Sequence, residues 1–290
     1  MITTRSQRWR ARRCRWIPNA TEIDPATLAV DIIDTCRDAA PFVKAHHYAA
    51  SMPVARLSVG LFANGSGGCA ELAGVCVFSH PVKDASVPKN TGLPNPRTAC
   101  DLGRLVLTDA IAGNGESWFL SRALRLLRQE KPEILSVISY ADPVRRIDDR
   151  GRVFLPGHVG ALYAVMGSRY VGRSSPRTDL IMPNGRPIPS RTISKIRARE
   201  TGHRYATEEL LRAGARARGR SETPVDWLAD LERSGFLSRR RHPGNHTYVF
   251  PLTKAARLSA RRVPGLPYPV LDRTARDGDV TELPLFDKAA

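Results

Sequence analysis

The stretch from Leu102 to Leu127 carries an anion-binding pattern in the middle of the chain. Leu105, Val106 and Leu107 form a short apolar run of strand character, and Gly113-Asn114-Gly115 then breaks it. Beyond the break Trp118, Phe119, Ala123, Leu124, Leu126 and Leu127 recur at helical spacing, with Arg122, Arg125 and Arg128 between them. A strand, a glycine turn and an amphipathic helix leave the first N–H groups of the helix without intrahelical partners, facing whatever anion lies ahead. The same three pieces also describe an ordinary crossover, so the turn alone names no chemistry. Asp142 is a second candidate, placed by Ala141-Asp142-Pro143 just past a β-branched run from Ile134 to Tyr140. Side chains beyond the carboxyl end of a strand are favoured site positions, although Asp-Pro there also serves as a turn or cap. Histidine pairs are less promising as metal ligands. His46 and His47 are adjacent and point different ways on a strand, and His242 and His246 lie across a Pro-Gly turn.

These positions sit in a chain of 290 residues, enough for one large or two modest domains. No apolar run approaches bilayer length, and the basic start, MITTRSQRWRARRCRW, lacks the apolar segment of a secretory signal. A cytosolic protein without membrane contact is expected. The five cysteines (Cys14, Cys36, Cys69, Cys76 and Cys100) form no CxxC pair, which argues against disulfides and thiolate zinc. Most are expected to be small buried hydrophobes. Charge is more telling. Lys+Arg 45 against Asp+Glu 28 gives +17, and arginine dominates. This excess points to polyanion binding, with nucleic acid favoured over an anionic membrane because no basic amphipathic membrane helix is seen.

Other elements must position these candidates. Residues 5 to 16, with six arginines, Trp9 and Trp16, form an arm that lies along phosphates and stacks a base, or else a disordered basic tail. Asp24-Pro25 opens a helix to Asp38, with Leu28, Ile32 and Ile33 as its stripe and Pro41 as its end. Arg56 to Ala63 and Glu71 to Ser79 flank Asn64-Gly65-Ser66-Gly67-Gly68 as a hairpin. Lys83 to Arg97 is a proline-rich loop, and Arg145 to Arg152 a charged one. Gly157 to Ala164 starts a helix, and Ser168 to Gly172 is a strand. From Met166 to Arg262 there are 21 Lys/Arg against 8 Asp/Glu. There, helices at Thr207 to Arg218 and Pro224 to Arg233 precede two strands joined by His242-Pro243-Gly244-Asn245-His246. Two helices and a basic hairpin make a small winged module on DNA, or merely a solvated basic face. The tail from Asp272 is polar.

The order helix, hairpin, strand–turn–helix, strand, helix, strand matches the acyl-CoA-dependent N-acyltransferase (GNAT) fold. The usual phosphate loop there is longer and begins with Arg or Gln. Here only Gly113-Asn114-Gly115 remains, and Glu116 adds a carboxylate beside the proposed anion unless it turns away or caps the helix. A sharper resemblance comes from His46-His47-Tyr48, Gly74-Val75-Cys76-Val77-Phe78, Leu102-Gly103-Arg104-Leu105-Val106-Leu107, Asn114-Gly115-Glu116-Ser117-Trp118-Phe119-Leu120, Ser139-Tyr140-Ala141-Asp142-Pro143, and Gly157-His158-Val159-Gly160 with Tyr163. In that order they resemble the Mom family of bacteriophage DNA-modification proteins. Ser190-Arg191-Thr192-Ile193-Ser194-Lys195 and Leu266-Pro267-Tyr268-Pro269 are similar to the end of its pattern, so the resemblance spans residues 40 to 270.

The resemblance implies an acetyltransferase-like fold, conversion of the N6 amino group of adenine in DNA to a carbamoylmethylated form that protects phage DNA from restriction, acetyl-CoA as cofactor, and a possible metal ion. It carries over Ser117, Asp142 and Tyr163 as functional positions. The chemistry is coherent. The exocyclic amine of adenine is a poor nucleophile and must be brought out of the stack and positioned. Asp142 or His158 supplies an acceptor near the amine. Tyr163 or Ser117 supplies a donor for a leaving thiolate or developing enolate. Tyr48 and His47 stack on or orient the base. Leu105, Val106, Leu107, Gly113, Asn114, Gly115 and Ser117 would hold the cofactor, and Arg104, Arg191, Lys195, Arg239, Arg240 and Arg241 the double-stranded DNA. Plainer alternatives remain: Ser117 as a helix cap and Tyr163 as core packing.

The expected architecture is α/β (α+β), a GNAT-like mixed central sheet flanked by helices, with a basic C-terminal extension. Its expected divisions are an arm (1–20), a catalytic core (21–180), a DNA-binding extension (181–270) and a flexible tail (271–290). The alternative function is a GNAT-type N-acetyltransferase acting on protein or small amines.

Overall fold

The computed structural model describes residues 5–18, 22–64 and 69–269. The Gly65–Gly68 turn, the Trp16 side chain and the tail from Asp272 lie outside the described residues. In chain order the elements are β1 (Arg5–Arg10), β2 (Arg13–Pro18), β3 (Leu28–Ile32), α1 (Ala40–His46), β4 (Ala55–Asn64), β5 (Ala70–Ser79), α2 (Ser86–Thr91), β6 (Ala99–Leu107), α3 (Gly115–Glu130) and β7 (Ser136–Ala141). Next come β8 (Arg146–Ile147), β9 (Val153–Leu155), α4 (Ala161–Val165), β10 (Arg169–Arg173), β11 (Arg177–Ile181), β12 (Pro187–Ile188), α5 (Ser190–Ala198), α6 (His203–Arg212), α7 (Pro224–Arg233), β13 (Ser238–His242), β14 (His246–Pro251) and α8 (Lys254–Ala260). They fall into two compact units. The first runs to Pro143 and adds Pro156–Ser174 and the chain from Asn245; the second is Val144–Leu155 with Ser175–Gly244.

The first unit is built on a seven-stranded sheet in the order β10-β14-β7-β6-β5-β4-β3. Each neighbouring pair is antiparallel except β6 and β7, which are parallel and joined through α3. A parallel pair needs a crossover, and the helical period after Gly115 provides it. Phe119, Leu120, Ala123 and Leu127 of α3 are fully buried against the sheet core that includes Val59, Leu61, Phe78 and Leu107. Phe119, Leu120 and Leu127 each contribute about 1.5–3 kcal/mol over leaving the side chain in water. Arg125 and Arg128 stay outside. The mixed GNAT-like sheet flanked by helices is thus the expected architecture.

Several local expectations are corrected. Asp24 caps only a single 3-10 turn, its Oδ1 accepting from the Ala26 N–H at 3.0 Å. The chain then enters strand β3, paired with β4 from Leu28↔Ala63 to Ile32↔Val59. Val30 and Ile32 are β-branched and alternate with Ala29 and Asp31, so an available sheet edge outweighs weak helical spacing. Pro41 accordingly starts α1 instead of ending a helix. The 83–97 loop holds α2, closed by Gly92 at φ 70°. The basic N-terminus is neither a free arm nor a disordered tail but the hairpin β1–β2, with Arg8 and Trp9 buried. Of the cysteines only Cys76 and Cys100 are buried; Cys36 and Cys69 are exposed, and all five are free.

The second unit packs α5, α6 and α7 with a small sheet in the order β12-β11-β13. Its core holds Ile193 and Ile196 of α5, Leu210 of α6, and Trp227, Leu228 and Leu231 of α7. α7 starts cleanly: Pro224 occupies the first turn and Thr223 Oγ1 accepts from the Asp226 N–H at 3.1 Å. The expected basic hairpin is not formed. β13 pairs with β11, whereas β14 pairs with β7 and β10 in the large sheet. Thr247-Tyr248-Val249-Phe250 is buried throughout and needs a central position, while the exposed Arg239-Arg240-Arg241 suits an edge. β14 and α8 therefore belong to the first unit. Among the described residues no helix is long and apolar enough to cross a membrane.

Candidate functional site

The turn between β6 and α3 is shaped by glycine and by one long-range arginine. Asn114 takes the left-handed conformation at φ 64° as the helix N-cap. Gly115 is buried so tightly that a Cβ there would lie 2.2 Å from Ile111 Cγ2, which no side chain tolerates. Ser117 Oγ donates to the Asn114 carbonyl at 3.1 Å, a local helix-start bond. Among the described residues no hydrogen bond or ring contact joins Ser117 to Asp142, His158 or Tyr163. Glu116 does turn away: its carboxylate pairs with Arg8 at 2.6 Å. Arg8 is wholly buried and also donates to the carbonyls of Ile111 (2.8 Å) and Ala112 (2.5 Å).

Strands β6 and β7 are bonded only across Ala99–Asp101 and Ser136–Ile138, and β6 then continues along β5 to Leu107. The two strands part beyond that point. Asp142 comes directly after β7, and the His158 N–H donates to its carbonyl at 2.8 Å, closing the first unit across the excursion of residues 144–155. Gly160, at φ 82°, brings the chain against Tyr248, where a Cβ would meet the ring at 2.5 Å. α4 then places Tyr163 edge-on to His158 (6.4 Å between centroids), Tyr248 (5.4 Å) and Phe250 (6.1 Å). Among the described residues the Tyr163 hydroxyl has no hydrogen-bond partner. Burial raises its pKa, with Cys76 and Tyr48 acting the same way, so it holds its proton. Burial lowers His158, against the opposing pull of Asp142.

On the β6 side, His47 and Tyr48 come just after α1 with their rings 4.4 Å apart, and Trp9 packs on both at 5.0 and 5.4 Å. The Trp9 indole is thus committed within the protein. His47 is held neutral, chiefly by burial and then by Arg104 and His158. Its Nδ1 accepts from the Ala49 N–H at 3.2 Å, which leaves the ring proton on Nε2. Arg104 is spent on structure: Nε and Nη2 reach the Ser51 carbonyl at 3.1 and 2.9 Å, and Nη1 reaches Gly103 O at 2.6 Å. It clamps the segment behind Tyr48 and is not presented to a phosphate. His47 lies within electrostatic reach of His158, and Tyr48 of Tyr163, and the His158 N–H in turn bonds the Asp142 carbonyl.

The fold adds residues that no sequence signal singled out. Tyr170 OH and His246 Nδ1 are 2.9 Å apart, and burial, Arg173 and His158 together push His246 down to about 4. Tyr248 OH donates to the Val159 carbonyl, next to His158. Only the apolar run of β14 hints at Tyr248; nothing local marks Arg8. In the second unit, Arg191 on α5 pairs with Glu200 at 2.5 Å and Arg239 with Glu232 at 2.9 Å. Arg240 and Arg241 are exposed on β13, and Lys195 is half-buried. Among the described residues no three His, Cys, Asp or Glu side chains converge as a metal site.

Residues 27–270 match the model of the Mom protein family, most of the chain. No curated protein matches it. Among solved structures, a tandem GNAT protein from the clavulanic acid biosynthesis pathway, described as without AcCoA, aligns at a TM-score of 0.38 and 10% identity, over 78% of this chain and 99% of its own.

Proposed function

The chain belongs to the Mom protein family, and from that premise we propose that it is a transferase modifying the N6 amino group of adenine in double-stranded DNA. At the family level this is phage DNA modification. The finer reading is carbamoylmethylation drawing on acetyl-CoA, in the host cytoplasm, as protection against restriction. One observation carries it: a buried phenol held in its protonated form, Tyr163, packs edge-on to His158, whose N–H bonds the carbonyl of Asp142 at the end of β7.

Acetyl-CoA suits the residues around that point. β6 beyond Asp101 is bonded to β5 but not to β7, so its peptide groups on that side make no strand pair and would suit an amide-bearing ligand, with β1 and α1 packed against the same strand. The first turn of α3 offers N–H groups to a diphosphate, and the carboxylate that would repel it is paired with Arg8. Bound there, acetyl-CoA would supply a two-carbon unit activated at its carbonyl as a thioester; a carbamoylmethyl product further requires an ammonia-level nitrogen in place of the thiol and a two-electron oxidant to join the methyl carbon to N6, whereas plain acyl transfer gives the acetamide and free CoA. A resident metal finds no comparable set of ligands among the described residues.

The protein's own groups then divide the work. Tyr48 and His47 flank an everted base. Asp142 accepts a hydrogen bond from the adenine N6, and neutral His158 is the second acceptor within the same group. Tyr163 donates its proton where negative charge develops, an effect of about 10²–10³ in rate for a single such donor. Arg191, Lys195, Arg239, Arg240 and Arg241 are the cations proposed to meet DNA phosphates.

Nucleoside mass spectrometry on DNA from cells making the soluble protein tests the proposal. A modified adenine supports it, and the fragment mass tells carbamoylmethyl from acetyl. An adenine pool left unmodified refutes it, and release of CoA with an amine and no DNA points to an N-acetyltransferase instead.

A further inference from the structure

The hairpin β1–β2 lies ahead of the segment that matches the family, which begins at residue 27. Yet it is tied into both sides of the site. Arg8 enters the β6–α3 turn with no exposed surface, bonding two turn carbonyls and Glu116. One residue on, Trp9 packs against His47 and Tyr48. Two bonds from Arg12 fasten the hairpin to the end of α1, from N–H to His46 O and from Nε to Lys44 O, both at 3.0 Å.

We infer that Arg8 is a positioning residue for the acetyl-CoA site: it sets the charge and shape of the turn that receives the cofactor's diphosphate. This rests on the acetyl-CoA reading above. Glu116 sits in the first turn of α3, where a carboxylate is at home beside the positive helix end but opposes a second anion. An unpaired carboxylate there would repel a diphosphate. Arg8 cancels that charge from inside the protein, where water does not screen the pair. Its planar fork also engages the Ile111 and Ala112 carbonyls, which takes those two oxygens away from an incoming anion, while Gly113 bridges to the backbone of Glu22. The short glycine turn thus needs an arginine from outside the family segment to become receptive to phosphate.

The experiment is calorimetry of acetyl-CoA on the full-length protein, with thermal melting of each variant alongside. Glu116→Gln removes the negative charge and leaves Arg8, so acetyl-CoA should bind severalfold tighter, with a steeper salt dependence. Arg8→Met removes the positive charge and should weaken binding on the order of tenfold. Adding Glu116→Gln to Arg8→Met should recover most of that loss. If Arg8 and Glu116 merely pin the hairpin, Glu116→Gln weakens binding as Arg8→Met does, and the double variant shows no recovery; that pattern overturns the inference. Should Arg8→Met not fold, the sign of the Glu116→Gln effect decides alone. A wild-type protein that binds no acetyl-CoA overturns the cofactor reading and this inference with it. Wild-type binding that neither substitution alters overturns this inference only.

Discussion

Tyr163→Phe removes a single hydroxyl, and its consequences for stability and for chemistry separate. The ring keeps its edge contacts with Tyr248, Phe250 and His158, each aromatic pair contributing about 0.5–1.5 kcal/mol. The hydroxyl has no hydrogen-bond partner among the described residues, so neither the roughly 1 kcal/mol of a net bond nor the cost of an orphaned partner is incurred. The expected stability change is within about 0.5 kcal/mol, and the melting midpoint should move by about 1–2 °C at most. The rate is another matter. Burial keeps the phenol protonated at working pH, and loss of a lone donor to developing charge costs about 10²–10³-fold. The assay is the initial rate of modified-adenine formation at matched expression, with melting and DNA binding measured on the same preparations. Activity within about threefold of wild type, against the 10²–10³ of a lone donor, refutes the assignment. A large fall in melting temperature together with activity would assign Tyr163 to packing.

Asp142→Asn should abolish modification while DNA affinity stays at the wild-type value, checked by mass spectrometry and fluorescence anisotropy. Replacing Arg240 and Arg241 by Ala should weaken binding to all DNA sequences alike and reduce the slope of log affinity against log salt by about 0.9 for each lost phosphate contact; an unchanged slope removes them from the interface. Burial pushes the Asp101 carboxyl up to about 7, against the Val82 N–H bond that pulls it down. Its protonated form is favoured in the folded state, so wild-type stability should decline as pH rises from about 4 to 7, and Asp101→Asn should be the more stable protein above pH 7, by roughly 4 kcal/mol at most. Trp227 is fully buried in the second unit and its Nε1 donates to the Arg216 carbonyl at 3.0 Å. Trp227→Ala should cost about 3–5 kcal/mol and lower the melting of that unit, read by proteolysis within residues 175–244.

The sequence discloses whatever has a period or a local turn chemistry. α3 is legible because Phe119, Ala123 and Leu127 repeat after a glycine break. β4 and β5 are legible because apolar runs flank a glycine-rich turn. The 24–38 segment misleads because Leu28, Ile32 and Ile33 fit a helix as well as a strand, and only the free edge of β4 decides between them. The expected β13–β14 pairing fails for a different reason. A Pro-Gly turn invites a hairpin, but the contrast between exposed Ser238–Arg241 and fully buried Thr247–Phe250 sends the two strands to separate sheets. Arg8 is beyond reach. In sequence it is one arginine of six, and the two turn carbonyls it bonds lie more than a hundred residues on. Asp142 and His158 both carry a motif signal, but the bond that joins their backbones closes over an excursion into another unit and has no periodic signature.

The charge states in the first unit obey one rule. Burial pushes His47, His158 and His246 below the ordinary histidine range, and Tyr163, Tyr170 and Tyr248 above the ordinary tyrosine range. Both movements favour the uncharged form. On the proposed function such uncharged groups suit a purine ring, which is itself uncharged and is bound through stacking and a few directed hydrogen bonds. A charged wall would hold water that the base would have to displace. The proposed contacts to DNA phosphates ask for the opposite surface, and Arg240 and Arg241 are exposed in the second unit. The two sets therefore answer to different variables. Salt should change how much DNA is held with little effect on turnover of bound DNA. On that proposal acid should act on turnover first, since protonating a buried histidine would place a charge against the base. A pH profile of turnover that shifted in parallel with salt would contradict this division, because it would mean that one set of groups performs both tasks.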